Sequence, residues 1–301
     1  MALFPEKYQI SSRLHGQLYV LVAALMWSSG GFFAKAPIFD AWDVSTRGIL
    51  LAFWRALFAG LVLLPFIRQR RWSWMMIPMV TSFTLMNVTF LSSMSLSEAS
   101  VAIWLQNTAP VWVFLGGVVW LRERVQLRDG LMLAFCLTGV GVILAFELRG
   151  ERPLGVWFGL ASGLCYAGVV LTLRGLKDYD TFWLVSLNQF ATALVLAPVV
   201  LKAGVQVTAA QILMLAAFGI FQMGIPYVLF SRGLRRLPGH EASCITLLEP
   251  VLLPLWVFLA WGQAANYEAP TGWTLWGAAL ILVGLLVRYL RVGYSKSAPD
   301  S

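Results

Sequence analysis

The chain has 301 residues, of which 59% are hydrophobic and only 12% charged, and its mean hydropathy is +0.76. One soluble core cannot cover that much apolar surface, so soluble enzymes and soluble binding modules are excluded and lipid is the solvent for most of the chain. The net charge of +8 would point to nucleic acid in a soluble protein, but here it takes a membrane reading and no nucleic-acid partner is expected.

A spanning helix needs about 20 largely apolar residues, and ten such stretches follow one another. After an N-terminal segment, 1–15, the first is Leu18–Ala34, with Trp27 and Ser28 near its middle. Reading it as a cleaved leader would remove the counterpart of Leu154–Leu173, so it is taken as a span. Gly48–Ile67 carries Arg55 and Trp74–Ser95 carries Asn87. In Ala99–Trp120, the residues Trp104, Asn107 and Thr108 share a helical face, and Pro110 follows them. Leu131–Phe146 closes the first half. Leu154–Leu173 opens the second with Gly155, Gly159, Gly163 and Ala167 in one stripe, a packing seam, and with Tyr166 on it. Then come Phe182–Leu201, Ile212–Phe230 with Tyr227, Ala242–Trp261 with Glu249 and Pro250, Trp273–Leu290, and the tail 293–301. Trp42, Trp72, Trp74, Trp120, Trp157, Trp183, Trp261 and Trp273 stand at span ends, where an aromatic belt is expected.

The two halves, 16–148 and 149–292, align with each other. Gly16, Trp27 and Lys35 fall on Gly155, Tyr166 and Arg174; Arg55 and Pro65 fall on Asn188 and Pro198; Asn87, Pro110 and Val111 fall on Tyr227, Pro250 and Val251. Five spans per half is an odd number, so the second half must lie inverted relative to the first, as in many secondary carriers. The expected fold is an all-α integral membrane protein of ten transmembrane helices, two inverted five-helix repeats around a central cavity. Basic residues sort by loop: Arg68, Arg70, Arg71, Arg122, Arg124, Arg128, Arg232, Arg235 and Arg236 lie on one side, whereas the other holds only Lys35, Arg47, Arg149, Arg152 and Lys202. The positive-inside rule then puts both termini in the cytoplasm.

An unpaired polar group in hydrocarbon is costly and must face protein or water. Arg55 and Glu249 are the two clearest mid-span charges. Each is read either as structural, in an ion pair or hydrogen bond, or as functional, with Arg55 on a substrate carboxylate and Glu249 carrying a proton. Glu249 is expected to be structural. Pro110 and Pro250 each remove a helical hydrogen bond, to the carbonyls of Gln106 and Thr246, and are expected to kink two equivalent helices. The pocket is expected at mid-depth, walled by Trp27, Trp104, Tyr166 and Tyr227, with Ser28, Asn87 and Asn107 supplying hydrogen bonds; such a lining suits a small, partly apolar zwitterion. Cys136, Cys165 and Cys244 lie within spans, and no Cys or His has a ligand-spaced neighbour, so neither disulfide, metal nor other cofactor is expected.

Arg55, the stretch Ala109-Pro110-Val111, the run Trp120-Leu121-Arg122-Glu123-Arg124 and the stretch Leu248-Glu249-Pro250-Val251 resemble the drug/metabolite transporter superfamily, with two EamA-type repeats, and within it the bacterial YddG-type amino-acid exporters. The likeness covers nearly the whole chain. It departs at Gly262-Gln263, where the family commonly has Gly-Glu. The resemblance implies a basket-like bundle whose cavity is lined by the first, third, fourth, sixth, eighth and ninth helices. It also implies alternating access that exports amino acids, aromatic ones included, or related metabolites across the inner membrane, in some relatives as facilitated diffusion. A small-molecule substrate, membrane lipid and a monomeric state are the expected partners and assembly. An intramembrane lipid-modifying enzyme is disfavoured because the mid-spans offer almost no carboxylate or His besides Glu249. A channel would want a filter loop or charged ring, and direct ATP use a phosphate-binding loop; the sequence has none of these.

Overall fold

The structure is a computed structural model, and it describes residues 6–121, 127–149, 153–176, 178–234, 236, 245–265 and 267–289. Regular structure among them is helical throughout: α1 (Glu6–Ser28), α2 (Gly30–Ala34), α3 (Val44–Leu63), α4 (Met76–Leu96), α5 (Ala99–Gln106), α6 (Ala109–Leu121), α7 (Leu127–Glu147), α8 (Pro153–Gly175), α9 (Thr181–Ala203), α10 (Ala209–Ala217), α11 (Ile225–Leu234), α12 (Leu248–Trp261) and α13 (Gly272–Tyr289). A π-helical turn, Phe218–Gly224, joins α10 to α11. The Arg122-Glu123-Arg124 run, Cys244, the start of the ninth expected span at Ala242 and the tail 293–301 lie outside the described residues.

Seven stretches are long and apolar enough to cross a membrane: Leu14–Ala34, Val44–Phe66, Met76–Leu96, Leu127–Glu147, Pro153–Leu173, Thr181–Ala203 and Ala209–Phe230. At 1.5 Å per residue each exceeds the roughly 30 Å of hydrocarbon. Leu248–Trp261 and Gly272–Val287 are apolar but shorter. The fourth expected span is not one rod: α5 ends at Gln106, Asn107 and Thr108 form a turn, and α6 restarts at Ala109. Pro110, second in α6, has no N–H to give, so the break falls where the helical ladder is already incomplete. Leu247 is likewise a turn before α12, whose third residue is Pro250. The first stretch is also interrupted, at Ser29 between α1 and α2.

Helix ends are tied by specific groups. Asp180 caps α9 by accepting from Phe182 N–H and Trp183 N–H, and the same carboxylate accepts from the Arg68 and Gln69 N–H groups of the α3–α4 loop. Thr208 and Gln211 form a reciprocal capping box on α10. Gln211 also donates to the Ile38 carbonyl, 2.8 Å away, and so pins the α2–α3 loop.

Packing pairs α4 with α8 and α1 with α11, α5 with α8 and α12 with α1, α3 with α9, and α7 with α13. The stripe on α8 is a close-approach seam. A Cβ at Gly155 would stand 2.9 Å from the Leu96 backbone, and one at Gly163 2.5 Å from Thr108 Oγ1 and 2.7 Å from the Leu105 carbonyl. Larger residues there would push α8 off α4 and α5. The aromatic belt is only partly that. Trp72, Trp74, Trp157 and Trp273 are exposed, but Trp42 is buried against Phe39 and Trp261 stacks on Phe32, its Nε1–H bonded to the Phe32 carbonyl. Both are packing residues first, because their rings face other aromatics rather than the lipid boundary.

A candidate substrate site at the crossing of the broken helices

Arg55 lies in the middle of α3 and is 3% exposed. Its side chain reaches two neighbouring elements: Nη2 donates to Asn87 Oδ1 on α4, and Nη1 to Gln222 Oε1 on the π-helical turn, 3.1 Å away. The Phe218 ring adds a cation–π contact, 5.1 Å from the guanidinium carbon to the ring centroid. Each amide is itself held. Asn87 Nδ2 donates to the Phe83 carbonyl at 3.0 Å, and Gln222 Nε2 to the Trp27 carbonyl at 3.3 Å. The Trp27 carbonyl is one that the end of α1 leaves without a full helical partner, so Gln222 joins the broken first helix to the arginine.

The π-helical turn is what brings Gln222 there. Its extra residue per turn rotates the following side chains, and such turns recur at functional sites. Gly219 permits the approach, since a Cβ at that position would stand 2.6 Å from the Arg55 carbonyl.

Around the guanidinium lies a narrow cavity of about 50 Å³, lined by Trp27, Arg55, Met86, Phe90, Gln106, Tyr166, Gln222, Met223, Tyr227 and Glu249. Trp27 meets Tyr227 edge-on, with centroids 5.3 Å apart. Glu249 projects from the first turn of α12, where the positive end of the helix favours a carboxylate. Arg55 and Glu249 thus line one cavity, and among the described residues no salt bridge joins them. Arg55 Nε is buried with no hydrogen-bond acceptor.

Of the residues expected in the pocket, Trp27, Tyr166 and Tyr227 line this cavity, together with the two mid-span charges Arg55 and Glu249, and Asn87 touches it through Arg55. Ser28, Trp104 and Asn107 stand elsewhere. Ser28 Oγ donates to the Leu25 carbonyl and accepts from Trp256 Nε1 at 2.8 Å. Trp104 is 5% exposed within the large apolar core. Asn107 folds back, its Nδ2 donating to the Ile103 carbonyl at 2.9 Å. Gln106, the last residue of α5, lines the cavity in their place. Gln106 and Gln222 are the polar lining residues that sequence pattern passed over; both are glutamines inside apolar stretches, which was the available signal.

Toward the end of the bundle that carries Lys35 and Arg47, an apolar layer closes the cavity off. Phe33 stacks on Phe218, with centroids 5.2 Å apart and planes at 15°. At Gly31 the α2 backbone lies so close to α12 that a Cβ would come within 2.6 Å of Val257 and 2.7 Å of Leu253.

Two segments, residues 14–145 and 153–290, match the EamA-like transporter family. An uncharacterized transporter of Archaeoglobus fulgidus is 25% identical over 91% of this chain and 96% of its own length. The uncharacterized inner membrane transporter YicL of Salmonella typhimurium is 27% identical over 92% of this chain and 97% of its own. A solved crystal structure shares the fold, with a TM-score of 0.63 at 18% identity, over 91% of this chain and 97% of that one. A family match along almost the full length, on a helical bundle with membrane-spanning stretches and a buried polar cavity, identifies the chain as a multi-pass membrane transporter of the EamA-like transporter family.

Proposed function

We propose that this transporter exports amino acids, aromatic and other apolar ones among them, or closely related small metabolites, across the bacterial inner membrane by alternating access. The observation that carries the proposal is the pair Arg55 and Glu249, opposite charges lining one aromatic-walled cavity without an ion pair between them. A zwitterion supplies what each lacks. Its carboxylate accepts from the guanidinium, including the unpartnered Nε, and its ammonium donates to Glu249. Trp27, Tyr166 and Tyr227 would then hold an apolar or aromatic side chain. The cavity is too small for an amino acid in this conformation, since about 50 Å³ suits only a little water. Substrate entry therefore requires the helices to separate, and the interruptions at Ser29, Asn107–Thr108 and Leu247 are where they would hinge.

The topology proposed with it is ten spanning helices in two inverted five-helix repeats, with both termini cytoplasmic. The exchanged packing pairs favour it: α4 on α8 answers α1 on α11, and α5 on α8 answers α1 on α12. The turns at Asn107 and Leu247 also fall at aligned positions. Reporter fusions at Ser301 and Glu151 are expected to report opposite sides of the membrane; the same side for both would end the inverted arrangement. For the substrate, purified protein in liposomes loaded with one amino acid should exchange it for aromatic and branched amino acids outside. Exchange is expected to run down the substrate gradient with or without a pH difference, and no exchange across the whole amino-acid panel would remove the assignment.

A further inference from the structure

Of the side-chain amides on or beside the central cavity, Asn87, Gln222 and Asn107 are committed. Asn87 accepts from Arg55 and donates to the Phe83 carbonyl, and Gln222 accepts from Arg55 and donates to the Trp27 carbonyl. Asn107 donates back to the Ile103 carbonyl. Gln106 differs from all of them. It lines the cavity, is 8% exposed, and its side-chain amide has no hydrogen-bond partner among the described residues. An amide carries an acceptor oxygen and two donor hydrogens, and leaving them unpaired among apolar neighbours costs free energy that a suitable ligand would recover.

The position of Gln106 decides which part of a ligand it meets. Helix α3, which carries Arg55, packs chiefly on α4, α9 and the π-helical turn, whereas α5 packs on α4, α8 and α12. With α4 between them, Arg55 and Gln106 enter the cavity from opposite walls. Close packing fixes the Gln106 end, since a Cβ at Gly163 on α8 would stand 3.2 Å from the Gln106 carbonyl. The Tyr227 phenol is coupled electrostatically to Arg55 and Glu249, so it belongs with the charged pair. Trp27, Met86, Phe90 and Met223 supply apolar lining. A ligand that satisfies the whole cavity therefore has a zwitterionic head, an apolar middle and a hydrogen-bonding group at the far end of its side chain. An aromatic ring with a hydroxyl meets that description: the rigid ring holds the O–H away from the head, and the O–H can donate to Gln106 Oε1 or accept from its Nε2–H.

We propose that Gln106 is a specificity-determining residue, hydrogen-bonding a hydroxyl at the far end of the substrate side chain, so that the preferred substrates are hydroxyaromatic amino acids of the tyrosine type. The assignment rests on the reading of the chain as an amino-acid carrier and narrows it. Tyrosine satisfies the amide, whereas phenylalanine leaves it buried against the edge of a ring with nothing to bond. A site built around such a hydrogen bond separates these two ligands, while a purely apolar pocket holds them nearly alike.

The test is exchange of labelled L-leucine by the full-length chain in proteoliposomes, competed by unlabelled L-tyrosine, L-phenylalanine or 4-methyl-L-phenylalanine. The methyl compound fills the space of the hydroxyl without its hydrogen bond, so it tests the wild type without any substitution. In the wild type, L-tyrosine should compete about tenfold more strongly than L-phenylalanine, the worth of one hydrogen bond to a buried amide, and 4-methyl-L-phenylalanine should compete no better than L-phenylalanine. Gln106→Met keeps the length of the side chain and removes the amide; it should weaken L-tyrosine until the two natural amino acids are level, with L-phenylalanine competing as well as before or better. Equal competition by L-tyrosine and L-phenylalanine in the wild type, a methyl compound as strong as L-tyrosine, or a tyrosine preference that survives Gln106→Met overturns the role of Gln106 and leaves the amino-acid carrier standing. Absence of leucine exchange, or its insensitivity to all three competitors, overturns the carrier reading itself.

Discussion

Helices α3 and α9 pack against each other, and each buries polar side chains at mid-length, yet the two are in opposite states. On α3, Arg55 is bonded to Asn87 and Gln222 and covered by Phe218, with cavity in front of it. On α9, Asn188, the residue aligned with Arg55, has an unpartnered Oδ1; the neighbouring Gln189 has neither amide atom partnered, and the Ser186 hydroxyl is also alone. Only Thr192 finds a partner on α4, Thr84 Oγ1 at 2.9 Å. Similar backbones at aligned positions thus carry different chemistry. Polarity on α3 is organised around a cavity, whereas polarity on α9 is buried at a cost that no described contact offsets. In the proposed reading, substrate recognition therefore falls on α3 rather than on α9.

Substitutions can break or sharpen that contrast. The largest effect is expected at Arg55. Arg55→Gln should lower exchange in proteoliposomes about 100-fold, the equivalent of roughly 3 kcal/mol for a lost charge-assisted contact, with protein yield maintained; near-normal exchange would place substrate recognition elsewhere. Next is Gln222→Leu, which removes the acceptor that aims the guanidinium and the donor on the Trp27 carbonyl. One hydrogen bond to a charged group is worth roughly 1.5–3 kcal/mol, so exchange should fall about tenfold or more, and the apparent affinity for substrate should fall with it. On α9 the sign reverses. Gln189→Leu keeps the volume and deletes two unsatisfied groups, so it should raise thermal stability in detergent by the equivalent of about 1 kcal/mol and leave exchange unchanged. A destabilised Gln189→Leu would show that the amide has partners which matter.

The smallest effect lies away from both helices, at Glu98. Its carboxyl titrates near 7 in the folded chain and in the ordinary carboxylate range when unfolded, so the folded state binds the proton more tightly. The resulting stabilisation is complete at acid pH and is lost as pH rises toward about 7. The melting temperature in detergent should decline slightly across that window in the wild type, and Glu98→Gln should flatten the decline.

Much of this was legible in the residues. A lone Arg and a lone Glu inside apolar stretches must face protein or water, and Arg55 and Glu249 do line the same cavity. Glycines spaced by four on α8 indicated a close packing seam, and the structure has one, against α4 and α5. What was not legible was the direction in which side chains turn. Trp104 and Asn107 share a helical face, but Trp104 packs into the apolar core, Asn107 bonds back to its own helix, and Gln106, the last residue of α5, lines the cavity. Gln222 reaches Arg55 because residues 218–224 form a π-helical turn, which a 3.6-residue period does not anticipate. The polarity of Gln106 and Gln222 within apolar runs was visible; their direction was not.

The central claim is that Arg55 and Glu249 together recognise a zwitterion, and competition by substrate fragments in proteoliposome exchange tests it most directly. With labelled L-phenylalanine as the transported probe, unlabelled L-phenylalanine should compete fully. Phenethylamine, which lacks the carboxylate, and 3-phenylpropionate, which lacks the ammonium, should each compete at least tenfold more weakly, since each leaves one buried charge unpaired. Either fragment competing as well as L-phenylalanine would contradict recognition by the pair.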